Sequence, residues 1–230
     1  MENVPELSDF CGPDIINIFT DGSAINYKGS YKSSFGFVVI KGNDIIEKEY
    51  RMCNGTSNNA EIKGIRKALD LCYKYKDQYR RINIISDSNI SIMGLKQYIY
   101  NWKVSKTGKL YTGTKKEVAS QNVFIEARQM LDILEASPCI ISIYHISSHV
   151  NTSNYNELLD TANTFKKLNN LTGKIDLNVI RYLCDWNNHV DIGVKSHLRR
   201  NYKVDKNIYI DPLLFMPKIE MSNWNFNNIL

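Results

Sequence analysis

Two aspartates follow apolar segments that have closely similar patterns. Asp21 ends the segment 16–21 and Asp87 ends the segment 82–87, and both segments are rich in isoleucine. If these segments are neighbouring parallel strands, both carboxylates emerge at the carboxyl edge of the sheet, where open α/β sheets bind ligands. A single Asp at such a position more often forms a turn or caps a helix. The pairing of the two residues therefore indicates a shared site.

Two further acids lie on predicted helices. Glu61 is in the first turn of its helix, where the helix dipole favours a negative charge even without a function. Asp160 lies in a helix interior, for which Asp has little propensity, and this position favours a functional role. Carboxylates without nearby cysteines suit Mg²⁺ or Mn²⁺ better than zinc. Asp21, Glu61, Asp87 and Asp160 are therefore the candidate functional acids.

The hydrophobic pattern predicts the elements that must position these acids. Apolar runs bounded by turn residues predict strands, and apolar spacings of three and four predict helices. The predicted strands cover residues 15–20, 35–40, 45–52, 82–86 and 140–146, and the predicted helices cover about residues 60–75, 90–102, 121–134 and 155–168. The first three strands require antiparallel pairing, whereas the helices between the later strands favour parallel crossovers. The predicted fold is α/β, a mixed five-stranded sheet flanked by helices.

The composition is typical of a globular protein that does not cross a membrane. Apolar residues make up 43% and charged residues 23% of the 230 positions, and the formal charge of +5 permits a polyanionic partner without requiring one. No apolar stretch approaches the roughly 20 residues that span a bilayer, and the N-terminus lacks a secretory pattern. The five cysteines are scattered, with no C-x-x-C pair. We therefore expect a cytoplasmic, reducing location and neither a zinc site nor disulfides.

Four motifs, taken in order, resemble those of the ribonuclease HI family. They are Thr20-Asp21-Gly22-Ser23, Asn58-Asn59-Ala60-Glu61, Ser86-Asp87-Ser88 and, after His149, Asn156-Glu157-Leu158-Leu159-Asp160. T-D-G-S alone is a weak signal, whereas four acids in the family's order on the expected elements are a specific one. The resemblance covers about residues 14–168. It implies an RNase H-like fold and hydrolysis of the RNA strand of RNA–DNA hybrids.

The resemblance also implies a mechanism that uses two Mg²⁺ ions, for which Mn²⁺ can substitute. Asp21 would bridge two ions about 4 Å apart, Glu61 and Asp87 would complete one coordination sphere, and Asp160 the other. His149 would assist proton movement or product departure, the alternative being an exposed loop histidine without a role. The expected products carry a 5′-phosphate and a 3′-hydroxyl.

Residues beside the acids and in a lysine-rich segment are candidate substrate contacts. Recognition of a hybrid needs contacts to 2′-hydroxyl groups, for which Gly22, Ser23, Asn58 and Asn59 are placed, although Asn58 could simply cap a helix. Residues 102–116 resemble the basic protrusion of bacterial family members. The candidates there are Trp102, Lys103, Lys106 and Lys109, and the alternative is a solvated loop.

The resemblance leaves both ends of the chain unassigned. We expect residues 1–13 to form a leader and residues 169–230 to form a C-terminal extension that is helical and packed on the core. Asn188 and Asp191 in this extension loosely repeat the spacing of Asn156 and Asp160, so Asp191 is a rival for the fourth acid. The number of residues between His149 and Asp160 matches the family motif, and this favours Asp160 as the fourth acid. Cations between Lys195 and Lys203 would either extend a nucleic-acid surface or belong to packed helices.

Two other functional classes compete with the ribonuclease prediction. One is another nuclease of the same fold, such as an exonuclease, a junction resolvase or a transposase. Exonucleases usually show D-x-E at the first strand, and transposases have Glu in place of Asp160, and both patterns differ from this sequence. The other class is a catalytically silent nucleic-acid-binding module, against which the retention of four acids argues. The expected partner is an RNA–DNA hybrid and the expected state is a monomer.

Overall fold

The structure, a computed structural model, describes residues 2–202 of the chain, and side chains from residue 4. The strands are β1 (Glu2–Asn3), β2 (Ile15–Tyr27), β3 (Ser30–Lys41), β4 (Asp44–Asn54), β5 (Arg81–Ser86), β6 (Lys103–Val104), β7 (Leu110–Tyr111), β8 (Ile140–His145) and β9 (Leu171–Thr172). The helices are α1 (Ser8–Cys11), α2 (Ser57–Tyr75), α3 (Asn89–Lys96), α4 (Gln121–Glu135), α5 (Tyr155–Leu168) and α6 (Leu177–Tyr202).

The central sheet has the strand order β4-β3-β2-β5-β8. The first three strands pair antiparallel as a meander. The pairs β2–β5 and β5–β8 are parallel, because a helical crossover separates their strands in the chain. The predicted mixed five-stranded sheet flanked by helices is therefore confirmed. Two short pairs, β1–β9 and β6–β7, lie outside this sheet.

The two faces of the sheet carry two separate hydrophobic cores. On one face, α2, α3 and α4 bury residues such as Ile65 and Phe124 against odd-numbered β3 side chains such as Phe37. On the other face, α1, α5 and α6 pack against even-numbered β3 side chains such as Val38. The alternation follows from the period of two along a strand. None of the helices in the described part of the chain is long and apolar enough to cross a membrane.

Helix α6 lies along β2 over nearly the whole length of that strand. Tyr182 accepts a hydrogen bond from Asn17 Nδ2 at 2.9 Å, and the Trp186 ring packs near that of Phe19. Farther along, the rings of Tyr202 and Tyr27 lie 5.0 Å apart between centroids. The ten residues from Asn17 to Tyr27 span about 33 Å of strand, and the twenty residues from Tyr182 to Tyr202 span about 30 Å of helix. The two segments therefore have nearly the same length. Helix α6 therefore runs from the start of β2 to the tip of the β2–β3 hairpin.

The N-terminal segment is packed on the domain, in contrast to the loose leader expected from the sequence. Phe10 is fully buried, and its carbonyl accepts a hydrogen bond from Asn17 Nδ2 at 2.7 Å. Asn83 Nδ2 donates to the Asp9 carbonyl at 2.8 Å, so two strand amides hold this segment in place. Of the expected C-terminal extension, residues 171–202 contain β9 and α6, and residues 203–230, including Lys203, lie outside the described residues.

Two local expectations differ from the structure. The first strand was predicted to end at residue 20, but β2 continues to Tyr27, because β3 pairs with β2 along the whole hairpin. The helix expected over residues 90–102 ends at Lys96, and a 3₁₀ turn covers Tyr98–Asn101. The lysine-rich segment then contains the short β6–β7 hairpin.

Candidate active site

Asp21 lies in the middle of β2 on the face that α6 covers. Only 4% of its surface is exposed, and its Oδ1 accepts a hydrogen bond from the Gly22 amide at 2.7 Å. Burial raises the pKa of the Asp21 carboxyl well above its usual range, and the nearby charges of Asp87 and Asp191 raise it further. A buried acid surrounded by other acids is costly to ionise unless a cation compensates for the charge.

Gly22 lets the amino end of α2 approach the strand that carries Asp21. A Cβ added at Gly22 would lie 2.3 Å from the Glu61 backbone nitrogen and 2.6 Å from the carbonyl carbon of Ala60. No other residue type would fit in this space without displacing backbone. Gly22 thus serves the packing that brings Glu61 beside Asp21, which is a more specific role than the substrate contact expected for it.

Asp87 follows the last residue of β5, at the same sheet edge as Asp21. Burial raises the pKa of its carboxyl, and the charge of Asp191 adds to this increase. The amide of Asn187 on α6 lies close enough to favour the ionised form of Asp87, although it does not reach strict hydrogen-bond geometry. The imidazole Nε2 of His145 lies 3.1 Å from the Asp87 carbonyl oxygen, so the end of β8 supports the backbone of this loop.

Glu61 stands in the first turns of α2, which Thr56 caps by accepting a hydrogen bond from the Asn59 amide. Its Oε2 accepts a hydrogen bond from the Ser88 hydroxyl, directly after Asp87. Burial raises the pKa of the Glu61 carboxyl, Ser88 partly offsets the increase, and the charge of Asp87 adds to it. Ser88 therefore connects Glu61 to the edge of the sheet at which β5 ends.

The fourth acid beside Asp21 is Asp191, and the structure does not place Asp160 there. Asp191 lies close to Asp21, and both its charge and its contact with the Asp21 carboxyl raise the pKa of Asp21. Asp160 is exposed on α5, whose buried residues include Leu158 and Phe165 and which packs on α6 and β9. The expectation for Asp160 is corrected because α6, and not α5, lies along β2.

Two basic side chains stand next to Asp191. Lys195 Nζ lies 2.7 Å from Asp191 Oδ1, one helical turn away. His149 Nδ1 lies 3.7 Å from Asp191 Oδ2, and its Nε2 lies 3.4 Å from Lys195 Nζ. His149 is exposed and has a φ of 55°, a left-handed conformation that β-branched residues avoid. The histidine expected from the loop therefore does reach the acids, through Asp191.

These acids supply oxygen donors of the kind that Mg²⁺ and Mn²⁺ prefer. Asp21 interacts with Asp87 and Asp191, and Glu61 interacts with Asp87. As the side chains stand, no three His, Cys, Asp or Glu groups within residues 4–202 are arranged to hold one metal ion. The donor set and the concentration of negative charge fit a divalent cation, and closer convergence requires side-chain rotation.

The residues expected to contact substrate fall into two groups. Ser23 is half-buried on β2, Asn58 is exposed at the start of α2, and Lys103 and Lys106 are exposed on the β6–β7 hairpin. The others already have partners within the chain. Asn59 Nδ2 donates to the Ser120 hydroxyl at 2.6 Å, Lys109 pairs with Glu117 at 2.9 Å, and the Trp102 ring packs edge-on against Phe124.

Sequence reasoning did not single out Asn187, and it considered Lys195 only as a cation of a nucleic-acid surface or of packed helices. The sequence did contain a signal for Asn187. It precedes Asp191 by four residues, just as Asn156 precedes Asp160 in the motif that the sequence analysis preferred. Residues four apart lie on the same face of a helix, so this spacing is suited to delivering an amide and a carboxylate together. Nothing in the spacing alone distinguishes the two helices.

Comparison with solved structures finds several chains that this one resembles. The chain resembles a foamy viral protease-reverse transcriptase solved with dsDNA, at 20% identity over 67% of this chain and 91% of the other, with a TM-score of 0.46. It also resembles RNase H1 from Halobacterium salinarum NRC-1, at 16% identity over 66% and 93%, with a TM-score of 0.39. A third is LC11-RNase H1 in complex with an RNA/DNA hybrid, at 18% identity over 66% and 97%, with a TM-score of 0.41.

No curated protein matches the chain. The sequence profile described as RNase H matches residues 13–165. This match includes Asp21, Glu61 and Asp87 and ends before α6. Since it spans more than half of the 230 residues, the chain belongs to the RNase H family.

Proposed function

We propose that this protein hydrolyses the RNA strand of RNA–DNA hybrids. The observation that carries the proposal is the meeting of Asp21, Asp87 and Asp191 at the carboxyl edge of the sheet, with Glu61 attached to the same edge through Ser88. In a family of nucleases, a concentration of buried acids at this edge is suited to phosphodiester hydrolysis. Fold alone would not support the proposal, but the acids do.

Asp21, Asp87 and Asp191 would hold the divalent cations, and Glu61 would join them after leaving Ser88. Bound Mg²⁺ or Mn²⁺ would activate a water molecule and stabilise the charge that develops on the leaving oxygen. Ionising Asp21 within this cluster is costly, and a bound divalent cation would offset that cost. We retain 5′-phosphate and 3′-hydroxyl products as part of the proposal.

The remaining side chains have roles that follow from their contacts. Asn187 and the backbone around Gly22 orient Asp87 and Asp21. His149 stands at the exposed rim beside Asp191, where it would assist proton movement or product departure. Asn58 at the start of α2 and Lys103 and Lys106 on the β6–β7 hairpin are free to contact the sugar–phosphate backbone, which requires no base readout.

The proposal is tested by incubating the protein with an end-labelled RNA–DNA hybrid in Mg²⁺. We expect cleavage of the RNA strand that stops in EDTA, and no cleavage by Asp21→Asn. Single-stranded RNA, duplex DNA and a four-way DNA junction serve as parallel substrates, because another nuclease of the fold would prefer one of these. An intact hybrid at high protein concentration, with the junction or duplex cut instead, would contradict the proposal. Binding without any cleavage would indicate a silent binding module.

A further inference from the structure

The structure has a strongly basic surface beyond the candidate active site. It is formed by the β2–β3 hairpin and the last turns of α6, and we call it the hairpin–α6 surface. Residues 22–36 and 192–202 contain no Asp or Glu, and their cationic side chains are Lys28, Lys32, Lys195, Arg199 and Arg200. These five charges equal the formal charge of +5 of the entire chain, so the rest of the sequence is balanced.

Strand alternation places the hairpin lysine on the same side as α6. Val38 on β3 packs in the core beneath α6, and Gly36 approaches Val194, so even-numbered β3 residues face this helix. Lys32 belongs to this set, and it pairs in register with Ile25. The neighbouring β4 positions on that face, opposite Gly36 and Ser34, are Tyr50 and Met52, which are uncharged. No acid on the adjacent strand therefore neutralises Lys32.

Helix geometry aligns the cations of α6 with the acids of the site. Lys195 contacts Asp191, and Arg199 is four residues beyond Lys195, on the same side of the helix and exposed. Eight residues of helix place Arg199 about 12 Å along the axis from Asp191. The contact between Tyr27 and Tyr202 brings the hairpin tip, with Lys28, to the same end. The cations thus continue outward from the site in one direction.

We infer that the hairpin–α6 surface binds the phosphate backbone of the hybrid beyond the cleavage position. This inference rests on the proposed function and extends it to a surface whose α6 part lies outside the family match, whereas its hairpin part lies inside it. A distance of about 12 Å corresponds to three or four phosphates of one strand at 3.4 Å of rise each. Apart from Lys195, which pairs with Asp191, the cations of this surface have no acid beside them in the two segments. Such a surface attracts a polyanion without reading its sequence, and the hybrid is the polyanion that the adjacent acids would cut.

The test measures equilibrium binding of a fluorescent hybrid of about 20 base pairs in EDTA, at several salt concentrations. The variant is Arg199→Gln combined with Lys32→Gln. The matched control is Arg80→Gln, an exposed arginine that pairs with Asp14 at the opposite edge of the sheet. We expect the slope of log affinity against log salt to fall by about two in the variant, one for each lost phosphate contact, and to stay unchanged in the control.

A salt slope that is unchanged in the double variant, or lowered equally in Arg80→Gln, would overturn the inference. Thermal unfolding of each variant shows that the fold is intact, because the substituted side chains lie at the surface. Since binding in EDTA needs no cleavage, the two proposals fail separately. A wild-type protein that binds with the expected slope but never cleaves RNA would refute the proposed function and leave the surface assignment standing.

Discussion

The ammonium nitrogen of Lys195 lies 2.7 Å from Oδ1 and 2.9 Å from Oδ2 of Asp191 on the preceding turn of α6. A divalent cation at Asp191 would compete with this ammonium for the same oxygens. We therefore expect Lys195→Met to bind Mn²⁺ more tightly than the wild type. A partly exposed ion pair contributes about 0.2–1 kcal/mol, which corresponds to an increase in affinity of up to about fivefold.

Isothermal titration calorimetry with Mn²⁺ checks this expectation, with Lys195→Arg as the control that keeps the charge. The control should match the wild type within about twofold, because a guanidinium can make the same pair. Weaker Mn²⁺ binding in Lys195→Met would mean that the lysine orients Asp191 for the metal and does not compete with it.

The two rival acids predict opposite results on substitution. Asp191→Asn should lower the rate of hybrid cleavage by about 100-fold or more, as expected for the loss of a group that stabilises charge in the transition state. Asp160→Asn should leave the rate within about twofold, because its side chain is exposed on α5. Initial rates in saturating Mg²⁺ measure both. Loss of activity in Asp160→Asn with a native circular dichroism spectrum would restore the assignment made from the sequence.

Asp21→Asn should stabilise the protein in EDTA, and more so at higher pH. Burial and neighbouring acids hold the pKa of Asp21 above that of the unfolded chain, so the folded state binds more protons. Its contribution to stability is then present below the unfolded pKa of about 3.9 and is lost as pH rises toward the folded pKa. Asn cannot ionise and avoids this loss.

The measurement is the difference in melting temperature between Asp21→Asn and the wild type from pH 4 to pH 8. We expect the difference to grow as pH rises, by an amount equivalent to about 1.4 kcal/mol for each unit of raised pKa. Mg²⁺ should raise the melting temperature of the wild type more than that of the variant. A difference that does not change with pH would show that Asp21 ionises normally.

Gly22→Ala should destabilise the fold and reduce cleavage together. The added methyl group would lie 2.3 Å from the Glu61 backbone nitrogen, so the amino end of α2 must move away from β2. Overpacking of this kind costs about 1–3 kcal/mol. Gly113→Ala is the matched control, because a methyl group there has no neighbour within 4 Å. Urea unfolding and hybrid cleavage give the two results, and unchanged values for Gly22→Ala would contradict the packing argument.

The sequence predicted the sheet and the positions of Asp21 and Asp87, because these depend on local pattern. Each acid ends or interrupts an apolar run, and two such runs in parallel neighbours must present their ends at one edge. Glu61 was also predictable, since a helix that begins after a polar segment places its first acid near the preceding strands. In these cases the local structure determines where the side chain lies.

The choice between Asp160 and Asp191 depended on packing that the sequence does not show. Both residues lie on amphipathic helices with an Asn four positions earlier, and motif spacing favoured the first. The structure distinguishes them because α6 is long enough to follow β2 from Tyr182 to Tyr202, whereas α5 packs on α6 and β9. The contacts of Trp102 with Phe124 and of Lys109 with Glu117 could not be predicted for a related reason, since these partners come from other segments, and the substrate roles of both residues stay predictions.

The course of α6 has a practical consequence for fragments of this protein. A shortened version that stops where the recognised family segment stops, at residue 165, would lack Asp191 and Lys195. It would also leave the apolar side chains of Phe19, Val38 and Ile40 open to water, and such a piece should aggregate when expressed. A minimal version that keeps the candidate site must therefore extend at least through Lys195.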